Sequence, residues 1–202
     1  MQITLNKYYS LKSNAFPLDY LKSLEDLILS CPYLAENYTN DNFAGTKEFS
    51  LVFKRSGIRE VERNFPSLEP YLRIALNSEC NAFNLNALVI KEKSCVKPHV
   101  DSILNKDSKA ITIATIVSIL YVKVPPDLQG GELVFYKHGH QVCKIQPETN
   151  TLLYFRGDLI HSVNEVKTSQ ARISLVCDQY KLSETHLQQI PNFEINLGLS
   201  VS

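Results

Sequence analysis

The sequence predicts a mainly β protein in which a core of short strands follows a helical N-terminal region. Three observations support this fold class. From about residue 85 the chain consists of short runs rich in β-branched and aromatic residues, turn-forming residues separate these runs at even spacing, and no helical patterns alternate with them. This pattern is typical of a β-sandwich or a closed double sheet.

The length and composition predict a single domain. A chain of 202 residues, 44% hydrophobic and 21% charged, is long enough to bury a core of its own. We expect one domain over residues 1–202, with a helical buttress containing one or two strands at 1–84, the β core at 85–180 and a C-terminal tail at 181–202. Because the helices precede the strands, we expect them to pack on the outside of one sheet.

Two helices and a strand are predicted in the N-terminal region. The segment 17–31 begins with Pro17, which suits a first helical turn, and has apolar residues at helical spacing, namely Leu18, Leu21, Leu24, Leu27 and Ile28. The segment "PSLEPYLRIALNSEC" (66–80) has the pattern of a second, amphipathic helix. Between the two, "EFSLVFKR" alternates like a strand.

Seven strand-forming segments make up the predicted core. In order they are "LNALVIK", "ITIATIVSILYVKV", "GELVFYK", "QVCKIQ", "TLLYF", "HSVNEV" and "ARISLVCDQY", and the turns include "PPDLQGG", "HGH", "PETN" and "RGD". The longest apolar run, "AITIATIVSILYVKV", is shorter than the roughly 18 residues that a membrane span requires. Its β-branched content favours a strand.

Charge and cysteine content narrow the class of protein. The chain has 21 basic and 21 acidic residues, so it lacks the excess positive charge that attracts nucleic acids. Its N-terminal sequence "MQITLNKYYSLKSNAF" has no apolar signal-peptide region, and its five cysteines form no C-x-x-C pair, which favours reduced thiols. We therefore expect a cytoplasmic protein that binds neither nucleic acid nor membrane.

The segment "KPHVDS" contains a candidate metal-binding pair, His99 and Asp101. In a chain with this number of histidines and aspartates, chance alone would produce such a pair about 0.2 times, so the motif proves little by itself. Residues i and i+2 of an extended segment point to the same side, however, and both side chains could reach one ion. His161, after the apolar strand "TLLYF", would complete the two-histidine, one-carboxylate set that suits non-haem Fe(II).

Arg172 lies in the strand segment "ARISLVCD", where it shares one face with Ser174 and Val176. It lies either in water on a half-exposed strand or inside the double sheet. Inside, an unpaired cation would be costly. There Arg172 would hold a carboxylate through two hydrogen bonds, with Ser174 adding a hydroxyl donor, and a dicarboxylate co-substrate would supply that group.

Four segments together resemble the Fe(II)/2-oxoglutarate-dependent dioxygenases, and in particular their prolyl-hydroxylase-like branch. The segments are "KPHVDS", "ILYVKVPPDLQGGELVFY", "LLYFRGDLIHSVNEV" and "ARISLVCDQY". The resemblance implies a double-stranded β-helix (jelly-roll) fold, with Fe(II) bound by His99, Asp101 and His161. It also implies 2-oxoglutarate as co-substrate with its far carboxylate on Arg172 and Tyr121, O2 as oxidant, and ascorbate as an optional reductant.

The reaction implied by this resemblance is hydroxylation of an unactivated C–H bond, with release of succinate and CO2. Asp101 favours hydroxylation, because the related halogenases lack this carboxylate. We expect a free amino acid or other small metabolite as substrate, and a prolyl or other residue within a protein or peptide is the alternative. A non-catalytic jelly-roll metal-binding module is a different class, and the complete set of site residues argues against it. A monomer and a homodimer both fit, because an exposed edge strand could pair with a second copy.

Other candidate residues are interpreted as structural, or remain open. His138 and His140 form a rival metal pair in "KHGHQ", but Gly139 between two strands favours a hairpin turn. A bare carboxylate on a strand, such as Glu132, is more often solvent-facing. The polar segment that contains Asp107 and Lys109 is either a surface loop or a lid over the substrate.

Overall fold

The computed structural model describes residues 2–36, 45–104, 111–168 and 170–196. Within these ranges the α-helices are α1 (Leu18–Ser30), α2 (Ile58–Asn64), α3 (Glu69–Ala75) and α4 (Glu184–Leu187), and short 3-10 helices cover Arg55–Gly57 and Pro66–Leu68. The strands are β1 (Gln2–Leu5), β2 (Tyr9–Ser13), β3 (Ala35–Glu36), β4 (Thr46–Lys54), β5 (Ala82–Ile90), β6 (Val96–His99), β7 (Ser102–Leu104), β8 (Ile111–Ile113), β9 (Ile116–Lys123), β10 (Gln129–Gly130), β11 (Leu133–Lys137), β12 (His140–Ile145), β13 (Thr151–Arg156), β14 (Ile160–Val163), β15 (Val166–Lys167), β16 (Arg172–Tyr180) and β17 (Phe193–Asn196).

Two antiparallel sheets form the core of the fold. The large sheet has the strand order β1-β2-β13-β9-β16-β5-β4-β17, with β3 paired to β4, and the small sheet has the order β12-β11-β14-β6. One cluster of buried side chains joins them, with Tyr121 and Leu153 from the large sheet and Leu133, Phe135 and Val163 from the small one. The chain passes repeatedly between the two sheets, from β5 to β6, from β12 to β13 and from β14 to β16. The predicted double-stranded β-helix is confirmed.

The two faces of the large sheet have different roles. On β16, Ile173, Leu175 and Cys177 belong to the apolar cluster that also contains the buried residues of α1, α2 and α3. The alternate positions Arg172 and Ser174 point to the opposite side, toward the small sheet, because successive side chains of a strand face opposite ways. The helices therefore cover the outer face, as predicted, and leave the inner face to line the space between the sheets.

Helix α1 anchors the N-terminal region on the outer face. It buries Leu21, Leu24 and Ile28, and Glu25 accepts a charged hydrogen bond from Lys123 at the end of β9, with a distance of 2.8 Å between Nζ and Oε1. The predicted helix at 17–31 is confirmed.

The second predicted helix is shorter than expected. Residues 66–80 form a 3-10 turn and then α3, which ends at Ala75. The next residues are held by the sheet instead, since the Asn77 N–H donates to the side-chain carbonyl of Gln179 at 2.6 Å. Helix α2 was not predicted, because it is two turns long and buries only Val61.

The N-terminal region also contains more strand than the one or two expected. Strands β1 and β2 form a hairpin that extends the large sheet beyond β13. In β1, Ile3 and Leu5 are 57% and 80% exposed. This strand therefore has no buried stripe that sequence periodicity could reveal, and backbone pairing holds it in place.

All five cysteines are free thiols, and Cys31, Cys80 and Cys177 are buried. No helix in the described part of the chain is long and apolar enough to cross a membrane. The segment with Asp107 and Lys109, expected to be a loop or a lid, lies outside the described residues.

We expect Leu24→Ala in α1 to lower the free energy of unfolding by about 2–5 kcal/mol, because Leu24 is fully buried and its truncation leaves a cavity. Leu18→Ala in the same helix is the control, since Leu18 is 74% exposed. It should change the free energy of unfolding by less than about 0.5 kcal/mol. Denaturant unfolding measures both values, and equal effects would contradict the packing of α1 on the sheet.

Candidate metal and co-substrate site

Two strands of the small sheet bring the predicted histidines together. His99 ends β6 and His161 lies in β14, and the two residues are direct partners in the antiparallel pairing. Their ring centroids are 4.4 Å apart. Asp101 follows β6, so it reaches the same point two residues further along the chain.

The three side chains form a compact donor set. Asp101 places Oδ1 3.2 Å from Nε2 of His99 and Oδ2 3.3 Å from Nε2 of His161. The candidate ligand atoms all lie within 4.8 Å of one another, and no other such group of three occurs among the described residues. Two imidazoles and one carboxylate are the donor set of the facial triad that binds non-haem Fe(II).

Backbone carbonyls orient both imidazoles. Nδ1 of His99 lies 2.8 Å from the carbonyl of Lys97, and Nδ1 of His161 lies 3.1 Å from the carbonyl of Leu159. A carbonyl only accepts, so each Nδ1 carries the proton and donates. The Nε2 atoms therefore face Asp101 and are the ring atoms that an ion would bind, which is how histidine ligands are usually supported in metal sites.

The charges of the cluster suit a cation. Burial by itself would raise the pKa of Asp101, but the hydrogen bond with His99 and the positive charge that the two histidines can carry lower it. Burial lowers the pKa of His161. Burial also acts to lower the pKa of His99, but the hydrogen bond and charge of Asp101 outweigh it, and the net shift is upward. These directions favour an ionised Asp101 and a neutral His161, whereas His99 would release a proton when a metal ion binds.

Arg172 is inside the protein, so the solvent-exposed interpretation of this residue is wrong. Arg172 is only 2% exposed, and its guanidinium carbon lies 5.1 Å from the centre of the Tyr121 ring. Nη1 donates to the carbonyl of Gly131 at 2.5 Å. Burial lowers the pKa of Arg172, but a guanidinium group holds its proton so strongly that the side chain stays charged.

Three buried donors around Arg172 have no hydrogen-bond partner within the described structure. They are Nε of Arg172, the hydroxyl of Tyr121 and the hydroxyl of Ser174. Tyr121 and Ser174 are direct partners across β9 and β16, and Arg172 is two positions from Ser174 on the same face. Burying such groups unpaired costs about 1–3 kcal/mol each, so the site has the character of one built for an acceptor such as a carboxylate.

A cavity of about 400 Å³ between the two sheets connects these groups. His99, Asp101, His161 and Arg172 all line it, whereas Tyr121 and Ser174 are completely buried beside Arg172. Apolar side chains form part of the remaining wall, among them Ile119, Leu133 and Val163. A polar part of the wall consists of Glu48, Ser50, Asn84, Asn86 and Asp178.

Sequence reasoning missed this polar part of the wall, although a signal for it exists. In "TKEFSLVFK" (46–54) and "AFNLNALVI" (82–90), polar residues occupy alternate positions of strands whose other positions are apolar. The apolar positions face the helices. The pattern shows that each strand has a polar and an apolar face, but it does not show that the polar face lies inside a cavity.

The rival candidates have structural roles. His138 and Gly139 form the turn between β11 and β12 with φ values of 50° and 77°, so the hairpin interpretation of His138 and His140 is confirmed. Glu132 is largely shielded rather than solvent-facing, because it pairs with Lys144 at 2.7 Å and accepts from Asn164 at 2.9 Å. It does not line the cavity.

Comparison with known proteins agrees with this geometry. Residues 84–177 match the family model of the 2OG-Fe(II) oxygenase superfamily. The fold and the site define a 2-oxoglutarate-dependent dioxygenase. The match covers nearly half of the chain, and the solved structures similar to it include enzymes of the prolyl-4-hydroxylase type.

Several solved structures share the fold at low sequence identity. A prolyl-4-hydroxylase from Pseudomonas putida is 14% identical, with a TM-score of 0.58 over 88% of this chain and 95% of that chain. A prolyl hydroxylase from Trichoplax adhaerens, in complex with a hypoxia-inducible-factor peptide fragment, is 14% identical, with a TM-score of 0.58 over 91% of this chain and 87% of that chain. HygX from Streptomyces hygroscopicus, with nickel, 2-oxoglutarate and hygromycin B bound, is 9% identical, with a TM-score of 0.52 over 84% of this chain and 81% of that chain. A search of curated protein sequences finds no match.

In the protein without ligands, Tyr121→Phe is expected to leave the free energy of unfolding unchanged or to raise it by up to about 3 kcal/mol. The substitution keeps the ring and removes a buried hydroxyl that has no partner in the described parts of the chain. Tyr71→Phe is the control, because the equally buried Tyr71 hydroxyl lies 3.4 Å from Oγ of Ser118. The control should lose about 0.5–1.5 kcal/mol in denaturant unfolding. A loss of the same size in Tyr121→Phe would mean that this hydroxyl is already satisfied.

Proposed function

We propose that this chain uses Fe(II), 2-oxoglutarate and O2 to hydroxylate an unactivated C–H bond of a free amino acid or another small metabolite. The observation that carries the proposal is one cavity with two complementary halves. His99, Asp101 and His161 offer three ligand atoms to a cation, and Arg172 with its neighbours offers unpartnered donors to an anion.

The donor set fits a metal ion for an electrostatic reason. With both Nδ1 protons directed to carbonyls, each Nε2 faces an oxygen of Asp101 at 3.2–3.3 Å. At His161, two acceptors at this distance repel each other unless a cation, either a proton on the ring or a metal ion, lies between them. Oδ2 of Asp101 is buried and has no hydrogen-bond donor among the described residues, which favours a metal ion coordinated by all three side chains.

The anion half of the cavity fits 2-oxoglutarate. Arg172 would hold the far carboxylate of the co-substrate, and the hydroxyls of Tyr121 and Ser174 would donate to the same group. Gly131 fixes the guanidinium in advance through its carbonyl, so little side-chain entropy is lost when the co-substrate binds. When bound, iron supplies the activation of O2 that couples decarboxylation of 2-oxoglutarate, to succinate and CO2, with hydroxylation of the substrate.

The protein's own contribution is orientation and exclusion of water. His161 is held between its carbonyl partner and the ring of Phe155, whose centroid is 4.9 Å away. Leu133 and Val163 give the cavity an apolar wall beside the metal ligands. The cavity volume lies in the range typical of sites for small molecules, which supports a substrate of metabolite size. Ascorbate would serve only as an added reductant that keeps iron ferrous.

Asp101→Ala is expected to abolish iron-dependent formation of succinate from 2-oxoglutarate, by at least about a hundredfold, because it removes one of three ligands. The assay compares succinate release with and without Fe(II), and circular dichroism checks the fold. Asp158→Ala is the matched control, since Asp158 is an exposed aspartate paired with Arg156. It should retain wild-type activity. Wild-type turnover in Asp101→Ala would rule out the assignment of Asp101.

Arg172→Ala is expected to weaken 2-oxoglutarate binding while iron binding persists. Loss of one buried charged contact costs about 2–5 kcal/mol, or roughly 30-fold or more in affinity. Titration of the Fe(II) protein with 2-oxoglutarate in the absence of oxygen, followed by the weak visible absorption of the chelate, measures this affinity.

The control for that titration is Arg156→Ala, which removes an exposed arginine from a surface ion pair. It should bind 2-oxoglutarate like the wild type. If Arg172→Ala also binds 2-oxoglutarate with unchanged affinity, Arg172 does not hold the co-substrate.

A further inference from the structure

The part of the cavity wall contributed by β4, β5 and β16 is unusually rich in hydrogen-bond acceptors. Asp178, Asn84 and Asn86 line it together with Glu48 and Ser50. The side chains come from alternate positions of three adjacent strands. They therefore form one surface on the inner face of the large sheet, and none of them belongs to the metal-binding or co-substrate groups described above.

Internal hydrogen bonds fix this surface but leave acceptors unused. Nδ2 of Asn84 donates to Oδ2 of Asp178 at 3.2 Å, and the Ser50 hydroxyl donates to Oδ1 of Asn86 at 2.5 Å. Oδ1 of Asp178 and Oδ1 of Asn84 are buried and have no donor within the described structure. Asp178 lines the cavity and is only 5% exposed, so a donor for this buried oxygen would have to come from a ligand bound against the Asp178 side chain.

The two ends of the cavity are thus complementary in sign. In the part of the chain that the structure describes, buried donors around Arg172 lack an acceptor, and buried acceptors around Asp178 lack a donor. Among the described residues that line the cavity, the basic side chains are His99, His161 and Arg172. In the proposed function all three are engaged by iron and 2-oxoglutarate, so none of them can serve the acceptors.

The charge at this end is unfavourable in the protein alone. Burial raises the pKa of Asp178 well above its usual value, and the negative charges of Asp101 and Glu48 add to the effect. Burial also raises the pKa of Glu48. A ligand that brings positive charge and N–H donors would offset the burial of the Asp178 carboxyl group and its repulsion from Asp101 and Glu48.

We infer that the substrate carries a protonated nitrogen, an ammonium or guanidinium group, that donates hydrogen bonds to Asp178 and Asn84. Glu48, on the neighbouring strand β4, adds negative charge to the same end of the cavity. The inference rests on the proposed function, because it assigns the substrate of that site. A free amine or amino acid and a basic residue within a peptide both offer this chemistry, and the experiment distinguishes them.

The test measures binding to wild-type protein loaded with Fe(II) and 2-oxoglutarate in the absence of oxygen, by calorimetry. Ligands are compared in pairs that differ by one positive charge: L-arginine with L-citrulline, L-lysine with L-norleucine, and L-norleucine with its Nα-acetyl derivative. Arginine and lysine are also presented as Gly-X-Gly peptides. In at least one pair the cationic member should bind about tenfold or more tightly, as expected for charge-assisted hydrogen bonds at a buried site.

Variants then connect the preference to the acidic residues. Asp178→Asn keeps the size of the side chain and should reduce the preference at least about tenfold, and Glu48→Gln should reduce it by a smaller factor. Glu194→Gln is the matched control, because Glu194 is an exposed glutamate on β17, in the same sheet. It should bind like the wild type. Circular dichroism and the absorption band with 2-oxoglutarate verify that each variant is folded and its iron site loaded.

The outcomes separate this inference from the function on which it rests. If the wild type shows the absorption band with 2-oxoglutarate but binds the cationic ligands no more tightly than their partners, the inference alone is overturned. A preference for cationic ligands that survives in Asp178→Asn has the same consequence. Absence of the band in folded, iron-loaded wild type overturns both. If free arginine or lysine binds more tightly than the corresponding Gly-X-Gly peptide, the substrate is a small molecule. If the peptide binds more tightly, the substrate is a residue within a protein.

Discussion

The alternation of side chains along β16 is the constraint on which the rest of this structure depends. Ile173, Leu175 and Cys177 lie in the apolar layer beneath the helices, whereas Arg172 and Asp178 line the cavity on the other side. A shift of one residue in the register would exchange these sets. The pairing of β16 with β5 on one side and β9 on the other, over almost its whole length, prevents such a shift.

The helical layer explains why the inner face can be so polar. Arg172, Ser174 and Asp178 are nearly or fully buried, and at least one polar atom of each has no partner among the described residues. Burial of such groups opposes folding. The outer face compensates, because the helices and the strands beneath them share one large apolar cluster. Stability and chemistry are thus divided between the two faces of one sheet.

The cavity itself is organised by charge. The small sheet contributes the imidazoles, oriented by backbone carbonyls at Nδ1. The large sheet contributes the guanidinium at one end and the Asp178 carboxyl at the other. Iron, a dicarboxylate co-substrate and a basic substrate would each meet the groups opposite to them in charge. This arrangement gives each ligand its own place, which is what a reaction among three bound partners requires.

Local periodicity in the sequence was sufficient to predict several features. It predicted the β core, the helix at 17–31, the pairing of His99 with Asp101 on one side of an extended segment, and the turn at His138. These features depend on residues close in the chain, where spacing alone decides which side chains share a face.

The tertiary structure decided the rest. It brought His161 opposite His99 across the small sheet, placed Arg172 inside, and combined Asp178 with residues of β4 and β5 into one acceptor-rich wall. It also formed the β1–β2 hairpin, whose exposed side chains leave no periodic trace, and ended α3 where Gln179 binds the Asn77 N–H. Such features depend on which distant strands pair and in which register, and packing of the whole chain sets that choice.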